Sequence, residues 1–201
     1  MSVTVITVAY DAGMGRWQPD SRGRLAKAAM ELYGERGFEQ TTVAEIAKRA
    51  GLTERTFFRQ FADKREVLFA GADSLQEVLV TAVADAPGSL PPIAAVALGL
   101  DAVAGMLQPG RDHSRERQAI IAANPDLQER ELIKLATLGA ALADVLRRRG
   151  VRDPTASLTA EAGIAVFKIA FERWVAETGD PDLSRLIREL LDELRAVTAA
   201  V

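Results

Sequence analysis

The chain has 201 residues, of which 48% are hydrophobic and 26% charged, enough apolar material to bury a core and too much for a wholly disordered chain. It contains no cysteine and a single histidine, which excludes disulfides, thiolate nucleophiles and cysteine-built zinc sites and removes most histidine-based metal and catalytic constellations. The net charge of −3 argues against a phosphate-rich partner, yet ten Lys/Arg face seven Asp/Glu between Asp20 and Arg65, whereas fourteen face twenty from Glu66 onward.

A basic front and an acidic remainder indicate two tasks in one chain. Residues 1–19, MSVTVITVAYDAGMGRWQP, have no amphipathic helical face and contain Gly13, Gly15 and Pro19, the pattern of a flexible arm. Met14 opens MGRWQPDSRGRL, an alternative natural start. Arg16, Arg22 and Arg24 fit equally an arm that touches nucleic acid and a solvated tail. The start lacks the basic segment and small-residue cleavage site of a signal peptide, and no run reaches the roughly 18 uncharged apolar residues of a membrane helix. A cytoplasmic protein without a membrane partner is expected.

From Ser21 the pattern becomes helical. Leu25, Ala28, Ala29, Leu32 and Tyr33 make one apolar stripe, and Gly37 stands where a C′ glycine ends a helix. Thr42 precedes VAEIAKRA with Glu45 three residues on, the spacing of a capping box. Gly51 stops this second helix, and Thr53 caps a short third one, Glu54 to Phe61. Ala47 and Gly51 are small enough for close approach where the two helices cross, which is helix-turn-helix geometry. In that geometry the helix after the turn enters the major groove of duplex DNA.

The three phenylalanines of ERTFFRQF then divide by face. Phe57 and Phe61, at i and i+4, anchor a helix too short to stand alone, while Phe58 lies toward the DNA side. Thr53, Arg55, Thr56 and Arg59 occupy the outer face. Arg55 suits a guanine edge, and Thr56 a thymine methyl or a phosphate. Asp63 reads as the cap of a long fourth helix carrying Val67, Leu68, Leu75, Val78, Leu79 and Val83, with Lys64 beside its free N–H groups as a phosphate site.

The run FEQTTVAEIAKRAGLTERTFFRQFADKREVL resembles, from Arg22 to Leu68, the DNA-binding domain of the TetR (tetracycline repressor) family. The resemblance implies an all-α homodimeric repressor that binds a double-stranded DNA operator and carries a small-molecule pocket in its C-terminal part; no cofactor is expected. By motif position it places phosphate contacts at Thr42, Phe58 and Lys64, and base or phosphate contacts at Thr53, Arg55, Thr56 and Gln60. Many members carry tyrosine and histidine where this chain has Phe58 and Gln60. A phenolic hydroxyl contact is thereby lost, and Phe58 can grip only through van der Waals contact.

The expected organisation is an arm (1–19), a helix-turn-helix domain (20–66) and a helical ligand-binding and dimerisation domain (67–201), about nine helices in all. After the linker APGSLPP, helices are predicted at about 91–107, 113–123, 125–149, 155–177 and 181–198. The last is apolar over more surface than one contact needs and the one before it adds small residues suited to close packing, so a four-helix homodimer interface is expected, with intrachain core as the alternative. Candidate pocket residues are Met106, Leu107, Ile120, Ile121, Leu138, Leu142, Phe167, Phe171 and Trp174, each also readable as plain core. Taken with the family resemblance they imply a largely hydrophobic effector, acyl or aromatic, and the fourth helix is the expected hinge between Lys64 and a pocket near Leu79 and Val83. His113 reads as a surface or helix-start residue. Arg147, Arg148 and Arg149 complement the dipole at a helix end. No nucleophile stands beside a base, no glycine-rich loop cradles a phosphate and no ligands have metal spacing, so an enzyme is not expected. A helical adaptor that has lost DNA binding is the other rival.

Overall fold

The computed structural model describes residues 20–199, so the expected arm, with Arg16 and the two candidate starts, lies outside the described residues. Among these residues there are nine α-helices and no strand: α1 (Ser21–Arg36), α2 (Val43–Arg49), α3 (Glu54–Gln60), α4 (Ala72–Asp85), α5 (Pro92–Leu107), α6 (Arg111–Ala122), α7 (Pro125–Arg148), α8 (Thr155–Ala176) and α9 (Leu183–Ala199). Two 3₁₀ turns, Glu66–Phe69 and Gln108–Gly110, join α3 to α4 and α5 to α6. The expected all-α architecture is observed.

Local chemistry sets the boundaries. The Thr42 hydroxyl accepts from the Glu45 N–H while the Glu45 carboxylate accepts from the Thr42 N–H, the reciprocal pair that opens α2. The Thr53 hydroxyl accepts from the Thr56 N–H to open α3. Gly51 has φ of +64°, so its role is to make the left-handed turn and not, as its spacing from Ala47 indicated, to let two helices cross. Pro92 and Pro125 occupy first-turn positions where no N–H is needed.

The fourth helix departs from expectation. Asp63 does act as an acceptor, but for the N–H groups of Arg65 and Glu66 at 2.8 and 3.1 Å, which folds a turn and then the 3₁₀ segment. The α-helix starts only at Ala72. Lys64 therefore sits in a connector and not at a helix N-terminus.

Two apolar clusters fill the molecule. One joins Leu25, Leu32, Ile46, Phe57 and Phe61 of the first three helices to Val67, Leu68 and Phe69 of the connector, and is completed by Ile121 and Leu127 from the α6–α7 corner. The other gathers Leu79, Val83, Val96, Leu100, Leu142, Leu146, Trp174, Leu183 and Leu186 between α4, α5, α7, α8 and α9. Gly99 allows α5 to lie on α4: a Cβ there would stand 2.6 Å from Val83 Cγ2 and 3.2 Å from the Leu79 carbonyl oxygen.

Arginines close the helix ends. Arg149 donates to the carbonyls of Ala84, Ala86 and Pro87 at the end of α4. Arg111 and Arg115 hold carbonyls of Trp174, Val175, Glu177 and Gly179 at the end of α8. Each satisfies acceptors that a helix end leaves open. Two stretches, Glu66–Asp85 and Pro92–Ala122, are apolar and long enough by composition to cross a membrane, with a mean hydropathy of 1.4. Each contains one of the 3₁₀ turns, and α4 and α5 within them pack on one another and on α7, α8 and α9.

Candidate nucleic-acid interface and side cavity

α2, the Gly51 turn and α3 present one outward surface. Phe57 and Phe61 are 0% and 3% exposed, whereas Phe58 is 56% exposed, so the rings divide as their spacing predicts. Phe58 meets Phe57 edge to face, with ring centroids 5.5 Å apart, which fixes its orientation at the surface. Thr42, Thr53, Arg55 and Arg59 are exposed, and Thr56 is half-buried with its hydroxyl 3.1 Å from that of Thr53.

Several other cations of this half are tied down. Arg36 pairs with Glu45, Arg49 with Glu31 and Glu35, and Arg65 with Asp63. The hydrogen bonds of Arg49 hold the Glu35 carboxyl below the usual carboxylate range. Arg22 donates to the Gln60 and Ala70 carbonyls and stacks over the Phe61 ring at 4.6 Å. Arg24 donates to the Ala50 carbonyl at the end of α2. These two are clamps within the protein and not part of a free arm. Lys48, Arg55 and Arg59 are exposed and outside these pairs.

Gln60 and Lys64 are placed differently from the outer-face residues. The Gln60 amide donates to Ser21 Oγ at 3.3 Å, at the start of α1. The Lys64 ammonium donates to the carbonyls of Phe38, Glu39 and Thr41 at 2.9, 3.3 and 3.0 Å and lies 4.4 Å from the Phe38 ring. All three of its N–H groups thus fix the loop that carries Thr42. The Tyr33 hydroxyl donates to the Lys64 carbonyl at 2.7 Å, and burial, aided by Asp63, pushes that phenol up.

Below the connector lies a cavity of about 890 Å³, within the range of small-molecule sites. Met106, Leu107, Leu138, Phe167 and Phe171 line it. The other expected wall residues do not. Ile120 and Ile121 pack with the connector and the first three helices, and Leu142 and Trp174 are fully buried in the larger core. The Trp174 indole N–H donates to the Pro181 carbonyl at 3.1 Å. Leu79 and Val83 are also core, so α4 meets the cavity through Ala72, Asp73, Leu75 and Gln76 instead.

The sequence reading missed the polar wall. Arg117, Gln118, Arg130, Glu131 and Lys134 line the cavity; His113 is exposed in the first turn of α6, as its surface or helix-start reading expects, and it lies at the cavity's edge as well. Arg117 donates to the Leu68 carbonyl at 2.7 Å and to Glu131 at 3.3 Å, with its guanidinium 5.1 Å from the Phe69 ring. Burial lowers the proton affinity of that guanidinium, and Glu131 partly restores it. Glu66, its side chain 18% exposed, accepts from Arg130 Nε at 2.6 Å and from Lys134 Nζ at 3.0 Å.

An outward helix braced by buried rings, set on a helical body with a half-open cavity in its side, is the architecture of a helix-turn-helix regulator. The chain belongs to the TetR family: residues 25–70 match the bacterial regulatory proteins of the tetR family and residues 90–199 match the MftR C-terminal domain. It is similar to the HTH-type transcriptional regulator TcmR of Streptomyces glaucescens, with 27% identity over 87% of this chain and 83% of that protein. Among solved structures it resembles Thermus thermophilus FadR, a TetR-family transcriptional repressor in complex with lauroyl-CoA (27% identity, 85% of this chain, 91% of that chain, TM-score 0.51). It also resembles, in fold alone, the Stenotrophomonas maltophilia repressor SmeT in complex with triclosan (21% identity, 88% and 90%, TM-score 0.63). Proteins of this family are DNA-binding transcriptional regulators.

Proposed function

We propose that the chain is a repressor that binds a palindromic operator as a homodimer and leaves it when a small effector with an apolar body occupies the cavity. The observation that carries the reading is the outward face of α3, where Thr53, Arg55, Phe58 and Arg59 are exposed while Phe57 and Phe61 lock the helix from behind. Arg55 and Arg59 read base edges or phosphates, Thr53, Thr56 and Gln60 add polar contacts, and Phe58 presses on the sugar-phosphate strand. Thr42 reaches a phosphate from the start of α2. Lys64 supports that contact by holding the loop before it.

Two further observations support the reading. Leu158, Ile169 and Val197 are 67%, 46% and 59% exposed, an apolar surface on α8 and α9 suited to a four-helix interface that sets two recognition helices one DNA turn apart. The lauroyl-CoA bound by the Thermus thermophilus relative accords with an effector that has a long apolar part.

The test is selection of duplexes from a randomised pool by the full chain, followed by binding titrations at several salt concentrations. A palindromic consensus is expected. Arg55→Ala should relax preference at one base pair of each half-site by about 1–3 kcal/mol. Failure to enrich any sequence would favour the helical adaptor without DNA binding.

A further inference from the structure

The cavity wall has a charged end beside the connector, shared with apolar Val67, Leu68 and Phe69, and a more apolar end further along its helices. On α7, Arg130, Glu131 and Lys134 precede Leu135 and Leu138 on the same wall, with Lys134 and Leu138 about 6 Å apart along the axis. The C-terminal half of α6 reaches the connector through Arg117, whereas its first residues, Arg111 and Arg115, are bound to the end of α8. Phe167 and Phe171 of α8 and Leu107 of α5 complete the apolar end.

At the polar end three cations, Arg117, Arg130 and Lys134, face two carboxylates, Glu66 and Glu131. The other charged or titratable groups on the wall are an exposed pair, Lys168 with Glu172 at 3.9 Å, exposed Asp73 in the first turn of α4 and exposed His113 in the first turn of α6. The three cations have a second role, because they hold the connector. Arg130 and Lys134 grip the Glu66 carboxylate, and Arg117 grips the Leu68 carbonyl and covers the Phe69 ring. Leu68 and Phe69 belong to the core that seats α1 and α3.

We infer that the effector is an amphipathic anion whose charged head binds at Arg130 and Lys134 in competition with Glu66, so that occupancy loosens the Glu66–Phe69 connector. This rests on the reading of the cavity as the effector site. The apolar body lies against Leu138, Phe167 and Phe171, and the head then falls at the cation cluster. A carboxylate arriving there supplies the negative charge the cluster lacks and takes up N–H donors that now point at Glu66. Charge-assisted bonds of this kind discriminate strongly against a neutral head on the same body. The ligand thus prefers the state in which Glu66 has let go, the differential affinity that any effector requires.

The experiment uses three probes with one tail: decanoate, decanol and decylammonium. Calorimetric titration of the full chain should show decanoate binding about tenfold or more tighter than decanol, with decylammonium weakest. In Glu66→Gln the cations are freed, so decanoate should bind more tightly than to the unmodified chain while decanol is unchanged, a gain that misfolding does not produce. Lys134→Met, which leaves Arg130 alone to hold the head, should reduce the preference for decanoate. Hydrogen exchange at residues 66–70 should accelerate with decanoate and not with decanol. Equal affinity for the acid and the alcohol, or no gain in Glu66→Gln, overturns the inference while leaving an apolar effector site standing. If none of the three probes binds, the effector-site reading of the cavity and this inference fall together.

Discussion

Phe57 and Phe58 are neighbours in sequence with opposite physical duties. Phe57 is fully buried between α1, α2 and the connector, and Phe58 is more than half exposed. Phe57→Ala removes a core ring, so stability should fall by about 3–5 kcal/mol. Phe58→Ala should leave stability within about 0.5 kcal/mol, as at other surface sites, and lower duplex affinity. Thermal unfolding and a duplex titration on the same two variants check both halves of this expectation. Lys64 is the residue whose surroundings most alter its interpretation. A lysine after an acidic cap reads as a surface cation at a helix start, but three carbonyls from the α1–α2 loop converge on it. Its partners are 23 to 26 positions away in sequence, beyond the reach of a local pattern.

At the scale of elements, α2 and α3 were legible because each begins with a hydroxyl that caps it and the turn between them needs a residue at positive φ. The connector was misread for an equally local reason. Val67, Leu68 and Leu75 continue a helical apolar spacing, and Asp63 resembles an N-cap, yet its carboxylate bonds to residues two and three ahead and closes a turn. The polar wall was hidden because Arg117, Glu131 and Lys134 lie on faces that look solvated. Only the meeting of α6, α7 and the connector encloses them. Ile121 and Trp174 were recognisable as buried, but periodicity identifies a buried face and not the neighbour that covers it.

The connector also makes stability depend on pH. Burial pushes the Glu66 carboxyl up, but hydrogen bonds and charge from Lys134 and Arg130 outweigh it and hold the group below its ordinary 4.5. The folded protein then binds this proton less readily than the unfolded chain. The stabilisation is therefore present above the ordinary value and lost as pH falls through the lower folded one. Glu66→Gln should be less stable than the unmodified chain at neutral pH, with the difference closing in acid. Denaturant midpoints at neutral and acid pH measure this.

For the whole molecule, the proposed pairing of α8 and α9 with a second copy makes a clear prediction. Leu158 and Ile169, three turns apart on the exposed side of α8, would be central to that contact. Ile169→Glu should shift sedimentation from dimer to monomer and weaken binding to a palindromic duplex far more than to a single half-site, since the two heads then act separately. The way the apolar clusters are shared sets a further condition. Ile121 and Leu127, from the middle of the sequence, finish the core of the first three helices. A chimera that grafts residues 20–70 onto another regulator's body would leave that core open on one side unless the recipient's corner supplies equivalent side chains. The module that reads DNA is thus portable only together with a patch of its host.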